Sequence, residues 1–228
     1  MSIPLSRVEW RPCWRIIPSR FPPIGLFERV ADPGDLDAVF AIEGLTNPRL
    51  RDEVGDINLV PPEDRVSGPG TTAIMAAFTH LNPAGSRFSD GSYGVYYAAG
   101  DLDTAIAETV HHRARFLAAT REPRTDLDMR VILADLAADA RDLRGLADQY
   151  PEVYRADEYA AGQALARTLR ASGAEAIAYD SVRNVGGECA AVLRPRLLSN
   201  CRQGEHLCYV WDGARIAEIY EKRSLSRT

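Results

Sequence analysis

The stretch "SRFSDGSYGVYYAAGDLDTAIAETVHHR", residues 86–113, gathers Arg87, Tyr93, Tyr96, Tyr97, Glu108, His111 and His112 within 28 residues. In a strand, Tyr93, Val95 and Tyr97 share one face and Gly94, Tyr96 and Ala98 the other. Tyr97 is the last large residue before the following helix, so its ring can stand over a cleft at the strand end. On that helix Glu108 lies about 200° from Ile106 at 100° per residue. That places it on a polar face with Thr104, His111, His112 and Arg115. The chain turns at Gly100–Asp101 between Tyr97 and Glu108, and this spacing can bring an aromatic ring and a carboxylate to one pocket. A plainer reading stands beside it. Glu108, His112 and Arg115 also fit a solvated i,i+4 and i,i+7 row, and tyrosines are ordinary strand packing.

Two other clusters carry polar chemistry. "GPGTTA" (68–73) fits the glycine spacing of a dinucleotide fingerprint, but that motif needs a buried strand before it, and "VPPEDRVS" is not one. The glycines are read as a turn. "YDSVRNVGGECAAVLRP" (179–195) joins two apolar strands through a serine, an arginine and two glycines. It contains no Gly-x-Ser-x-Gly elbow, which argues against a serine hydrolase. Polar hairpin connection and functional loop both remain open for it.

The elements that must position these residues follow from periodicity and punctuation. "CWRIIPSR" (13–20) reads as a strand, and 32–45 as a helix capped by Asp35. Residues 61–70 form a loop by composition, and 71–81 a short buried helix. Residues 93–99 are a strand and 103–120 a helix with Asp103 as N-cap. The apolar stripe of that helix is Ile106, Val110, Arg113 or Ala114, and Leu117. A strand is expected over 129–136. An amphipathic helix over 159–173 stops at Gly173. Strands are expected over 174–182 and 188–195, and a hairpin with an Asp-Gly turn over 206–220. Helices and strands mix without a regular βαβ rhythm, so the expected class is α+β, a mixed sheet with surrounding helices in one domain with its core over about 12–215.

Composition narrows the rest. The chain has 228 residues, enough for one substantial core, with 46% hydrophobic and 26% charged residues. A net charge of −5 does not favour direct nucleic-acid binding by a basic face. No apolar run is long enough for a membrane span, and the first residues lack the apolar stretch of a secretory leader. Cys13, Cys189, Cys201 and Cys208 form no Cys-x-x-Cys pair and are read as free thiols. Cys201, His206 and Cys208 are read as unrelated neighbours, so no metal is expected.

Taken together, "WRII…RFPP", "SRFSDGSYGVYYAAGDLDTAIAETVHHR" and "YDSVRNVGGECAAVLRP" resemble the RES domain, the toxin of RES–Xre toxin–antitoxin pairs. The resemblance runs from about residue 12 to about 215. It implies a fold similar to ADP-ribosyltransferase toxins and NAD as the substrate. Carried across, the family arginine matches Arg15, the tyrosine Tyr97, the glutamate Glu108 and the serine Ser181. Some members place the serine in the helix near Gln163, where this chain has Ala160 and Gly162. Arg87 is retained from a Gly-Gly-Arg-Trp-Asn motif, which is "GSRFSD" here.

The implied chemistry cleaves the nicotinamide–ribose bond through an oxocarbenium-like state. Tyr97 would stack on nicotinamide, Glu108 offset the positive charge, and Arg15 and Arg87 hold the pyrophosphate, with Ser181 beside them. The resemblance further implies a cytoplasmic toxin, a cognate Xre-type helix-turn-helix antitoxin and a cellular target protein that accepts ADP-ribose. Destruction of NAD by water or phosphate is the alternative activity, and a non-enzymatic binding module a third reading.

Overall fold

The structure, a computed structural model, describes residues 3–19 and 55–223. The helix expected over 32–45 lies outside the described residues. Seven strands form one mixed sheet: β1 (Leu5–Pro18), β2 (Tyr96–Ala99), β3 (Thr125–Asp142), β4 (Ala176–Asp180), β5 (Glu188–Val192), β6 (Leu198–Trp211) and β7 (Ile216–Lys222). Among the described residues three α-helices accompany it: α1 (Thr71–Thr79), α2 (Leu102–Thr120) and α3 (Ala160–Ala171). The expected α+β class is what the chain adopts. None of the described helices is long and apolar enough to cross a membrane.

The sheet order is β1-β2-β5-β4-β3-β6-β7, with a further pairing between β1 and β3. That pairing runs the length of β1, from Leu5 opposite Arg141 to Pro18 opposite Met129. Trp14 pairs with Ala99 on β2. The hydrogen-bonded order β1-β2-β5-β4-β3 therefore closes on itself, leaving β6 and β7 as an extension. All pairings are antiparallel except β3 with β4.

Closure of so few strands leaves little room on one face, and small side chains fill it. Ala98, Ala134, Ala138, Ala140, Ala176, Ala178 and Ala190 are buried together there with Ile74, Met75 and Phe78 of α1. The opposite face holds Val131, Ile177, Tyr179, Cys189 and Ala191, covered by Ala105 of α2 and by Ala166 and Leu169 of α3. Each fully buried large apolar side chain contributes about 1.5–3 kcal/mol.

Several boundaries differ from expectation for local reasons. The cap of α2 is Asp101, two residues earlier than Asp103. Its carboxylate accepts the Thr104 N–H at 2.7 Å and the Thr104 hydroxyl at 2.7 Å. β3 is far longer than 129–136, because its Asp- and Ala-rich ends are held by pairing with β1 and β6 and not by their own strand preference. β2 starts at Tyr96, since Ser89 and Tyr93 are occupied in a local turn, where the Ser89 hydroxyl donates to the Tyr93 carbonyl at 2.6 Å. The Asp-Gly hairpin forms as expected: Asp212 accepts the N–H groups of Ala214 and Arg215, and Gly213 takes φ +104°.

"GPGTTA" is indeed a turn. Three-residue helical turns at Ile57–Leu59 and Pro62–Asp64 precede it where a dinucleotide fold would have a strand. Gly70 has φ +78° and caps α1, and a Cβ there would collide with the carbonyl of Cys201 on β6. Gly145 has φ +70° with open space around it. Gly70→Ala is expected to cost at least about 2 kcal/mol, and Gly145→Ala about 1 kcal/mol from backbone conformation alone. Urea denaturation of the two variants checks this. Equal losses would show that the approach of Gly70 to β6 is not what fixes α1.

Candidate functional site

The crowded stretch folds around β2. Tyr97 points to the face covered by α2 and α3, and its hydroxyl meets Ser86 Oγ at 2.7 Å and accepts the Phe88 N–H at 2.9 Å. Burial, partly offset by these two bonds, pushes its phenol up to about 12. Tyr93 donates its hydroxyl to the Phe88 carbonyl at 2.7 Å. The two tyrosines thus pin residues 86–88 to the strand, and Phe88 is buried edge-on against Tyr179, centroids 5.0 Å apart.

Nearly two turns into α2, Glu108 meets the connection between β4 and β5. Ser181 Oγ donates to Glu108 Oε1 at 2.6 Å and accepts the N–H groups of Arg183 at 3.1 Å and Asn184 at 3.0 Å. The Cys189 thiol lies 4.0 Å from the same Oε1. Burial and then the Glu108 charge push that thiol well above its usual range, so it is no nucleophile. Tyr179, beneath, is also raised, by burial first and then by Cys189 and Glu108.

The loop is fitted closely to the helix. Asn184 Nδ2 donates to Thr104 Oγ1 at 2.8 Å, which in turn donates to Asp101. Thr104, expected on a solvated face, is fully buried by this contact. A side chain at Gly187 would collide with the Thr104 hydroxyl. The polar face of α2 is therefore the floor of a site at Glu108 and a surface only further along. His112 is exposed, and the His111 ring packs edge-on to it at 5.5 Å.

The expected arginines are placed differently. Arg87 is 9% exposed and does not stand free. Its Nη1 donates to the carbonyls of Val153 at 2.6 Å and Arg155 at 2.9 Å, its Nη2 to that of Ala156 at 3.4 Å, and it stacks 5.1 Å from the Tyr159 ring centroid. Its guanidinium is thus engaged by backbone carbonyls of residues 153–156. α3 sits so close that a Cβ at Gly162 would strike the Arg87 carbonyl.

Arg15 lies on the other face of the sheet. Trp14 and Ile16 pack on the Glu108 side, so alternation sends Arg15 to the alanine-lined side. Its guanidinium stacks 4.6 Å from the Tyr96 ring centroid and donates to the Tyr97 carbonyl at 3.0 Å. Burial pulls it below its usual range, and the neighbouring groups that act on it are tyrosines and cysteines, not carboxylates. Arg15 Nε, Tyr96 Oη and Thr72 Oγ1 are buried without a hydrogen-bond partner. Arg15 thus bonds to Tyr97 through its backbone carbonyl and stands on the face away from Glu108, where the expectation had put the two side by side.

The structure brings Glu108 and Ser181 into direct contact, places Tyr97 and Arg87 near the same Tyr179 side chain, and leaves Arg15 on the other face of the sheet. It adds residues that the sequence did not mark. Arg183 follows Ser181 in the same loop, with 14% of its side chain exposed, and donates to the Ala156 carbonyl and to Asp157 Oδ1. Asp157 also meets His111 Nε2 at 3.0 Å and Arg115 at 3.6 Å. Burial and nearby Arg183 hold the His111 imidazole below its ordinary range. Arg183 stood within "YDSVR" and could have been marked. Asp157, in a polar loop, offered no signal. No cluster suited to a metal ion occurs among the described residues.

The sequence model of the family described as RES domain matches residues 62–212. An uncharacterized protein, y4oC, of Sinorhizobium fredii (strain NBRC 101917 / NGR234) is 33% identical over 210 residues, covering 91% of this chain and 86% of that protein. Among solved structures, the crystal structure of the M. tuberculosis MbcT–MbcA toxin–antitoxin complex aligns with a TM-score of 0.42 and 11% identity, over 91% of this chain and 88% of that one.

If Arg87 is a staple, Arg87→Ala should destabilise the fold by about 3 kcal/mol, since bonds to a charged donor are worth about 1.5–3 kcal/mol each. Arg87→Lys should recover only part, because a single ammonium cannot reach three carbonyls. Denaturant melts measure both. An unchanged midpoint for Arg87→Ala would return this residue to ligand binding.

Proposed function

The chain belongs to the RES domain family, and from that premise we propose that it is the toxin of a toxin–antitoxin pair that consumes NAD and transfers ADP-ribose to a cellular protein. The observation that carries the reading is the Glu108–Ser181 pair. Ser181 ties one carboxylate oxygen at 2.6 Å, which fixes the orientation of the group. The other oxygen, Oε2, accepts no hydrogen bond from the described residues. A half-buried carboxylate so held suits a ribose hydroxyl and a developing positive charge at the adjacent carbon.

The step itself needs no residue to be covalently modified. The C1′–N bond of the nicotinamide riboside breaks and its electron pair leaves with nicotinamide. The acceptor forms the new bond at C1′ and loses a proton. Glu108 offsets the charge between those events. Ser181 orients Glu108, and it is itself held by the backbone N–H groups of Arg183 and Asn184. Tyr97 shapes the wall, with its hydroxyl engaged by Ser86 and Phe88.

The assignment of Arg15 changes under this reading. From the far face it holds the Tyr97 carbonyl and so supports the wall without touching the reacting atoms. The cognate antitoxin, proposed as an Xre-type helix-turn-helix protein, would protect the producing cell by covering the site.

Incubation of the protein with NAD and cell extract tests the reading. Release of nicotinamide with a labelled protein band supports ADP-ribose transfer. Free ADP-ribose, or its phosphorylated form, identifies water or phosphate as acceptor. Absence of nicotinamide release removes the reading altogether. Glu108→Gln keeps the hydrogen bond from Ser181 but loses the charge, so turnover is expected to fall at least about a hundredfold, roughly 3 kcal/mol of barrier. Its melting temperature should stay near that of the wild type.

A further inference from the structure

Ser181 can orient Glu108 only if the loop that carries it is itself held, and the strands on either side do not do this. β4 ends at Asp180 and β5 begins at Glu188. Within the loop, Ser181 N–H bonds to the Gly187 carbonyl at 2.8 Å and Gly187 N–H to that of Asn184 at 3.0 Å. These bonds close the loop on itself, and Asn184 Nδ2, on Thr104 Oγ1 at 2.8 Å, ties its far side to the first turn of α2, which leaves the Ser181 side to be held. Val185 at its tip is fully exposed, and Gly186 takes φ +83°.

Arg183 supplies a tie in the other direction. Its backbone N–H holds Ser181 Oγ, while its side chain reaches across to the Ala156 carbonyl and Asp157. Asp157 in turn receives His111 and Arg115 of α2. Arg87 braces the same segment from below through Val153, Arg155 and Ala156. A single stretch, residues 153–157, thereby connects the serine loop to the helix that carries Glu108.

Asp157 is 58% exposed, so its ion pairs alone would be worth little. The guanidinium of Arg183 is different. It is largely enclosed, its Nε is buried with no hydrogen-bond partner among the described residues, and its Nη2 meets both the Ala156 carbonyl and Asp157 Oδ1. Enclosing such a group is costly unless its contacts are kept. A lysine would bring a compact, more strongly hydrated ammonium on a flexible stem to the same enclosed position, without the planar group that fills it.

We propose that Arg183 and Asp157 form a clamp that sets the Ser181 loop against α2 and so fixes the Glu108–Ser181 pair in its working geometry. Both are positioning residues, and neither touches the reacting atoms. The catalytic half of the proposal rests on the NAD-consuming reading. The structural half does not.

Two measurements on the full-length chain separate them. The first is hydrogen exchange of the amides of Ser181, Arg183, Asn184 and Gly187. Asp157→Asn and Arg183→Lys should each lower protection at these sites at least about tenfold, with β5 unaffected. The second is steady-state NAD turnover. In both variants kcat should fall about tenfold or more while KM stays within about twofold, because geometry and not binding is lost. Asp157→Glu, which keeps the charge, should regain most of the rate, and Arg183→Ala serves as a harsher variant where the fold survives. Wild-type protection in the loop would overturn the clamp. Lost protection with unchanged kcat would overturn the positioning role. If the wild-type chain turns over no NAD, the proposed function fails, and the exchange measurement still decides whether the clamp exists.

Discussion

Successive side chains of a strand point to opposite faces, and at β2 this alternation falls on two adjacent tyrosines. Tyr97 is turned toward α2 and the serine loop, Tyr96 toward the alanine-lined face. Everything near the site is sorted by that division. On the Tyr97 side Cys189 lies beside Glu108, and on the other side Tyr96 stacks on Arg15. Because β2 is hydrogen-bonded on both sides, to β1 and β5, no side chain can cross from one group to the other. The strand's carbonyls are the one link: Arg15 holds the Tyr97 carbonyl from behind while the Tyr97 hydroxyl holds Ser86 and Phe88 in front.

Two arginines near this division spend their donors on the backbone. Arg87 satisfies three carbonyls of a segment with no helix or strand of its own, and Arg183 satisfies one of the same carbonyls from the opposite side. Buried carbonyls in irregular chain must find donors somewhere. A planar guanidinium with several N–H groups can serve more than one at a time. The fold thus gains a rigid bracket from a loop, and the ends of that bracket are the loop of Ser181 and the start of α3. Charge sign is secondary in this use, which explains why an arginine can look like a phosphate ligand in the sequence and still be structural.

Much of the fold was legible. The periodicity of α2, the glycine that ends α3 and the Asp-Gly hairpin are local signals, and local signals survive in the structure. Gly173 has φ +85°, as its position after α3 requires. The pairing of Ser181 with Glu108 could be suspected only through family resemblance, since 73 residues separate them and no spacing rule relates two sites on different elements. What failed was dependent on context. Arg15 was a plausible ligand until the face of β1 was known. Asp103 and Asp101 both suit an N-cap, and the choice rests on which one Thr104 can reach. The ends of β3 have weak strand preference and are formed by their neighbours.

Long-range closure also explains the small residues around the site. Gly187 has no side chain because the Thr104 hydroxyl occupies that space, and Thr104 is where it is because Asp101 caps α2 through it. Asn184 then reaches the same hydroxyl from the loop. One threonine therefore joins the start of the helix to the end of the loop, one turn before Glu108. The distance between Ser181 and Glu108 is set by a sequence of short contacts, each of which would be lost by a single added or missing group. A carboxylate held in this way has little freedom to follow a moving substrate, so the substrate must be brought to it. Under the proposed function, that requirement places recognition on the walls, Tyr97 and the 86–88 turn, and charge stabilisation on Glu108.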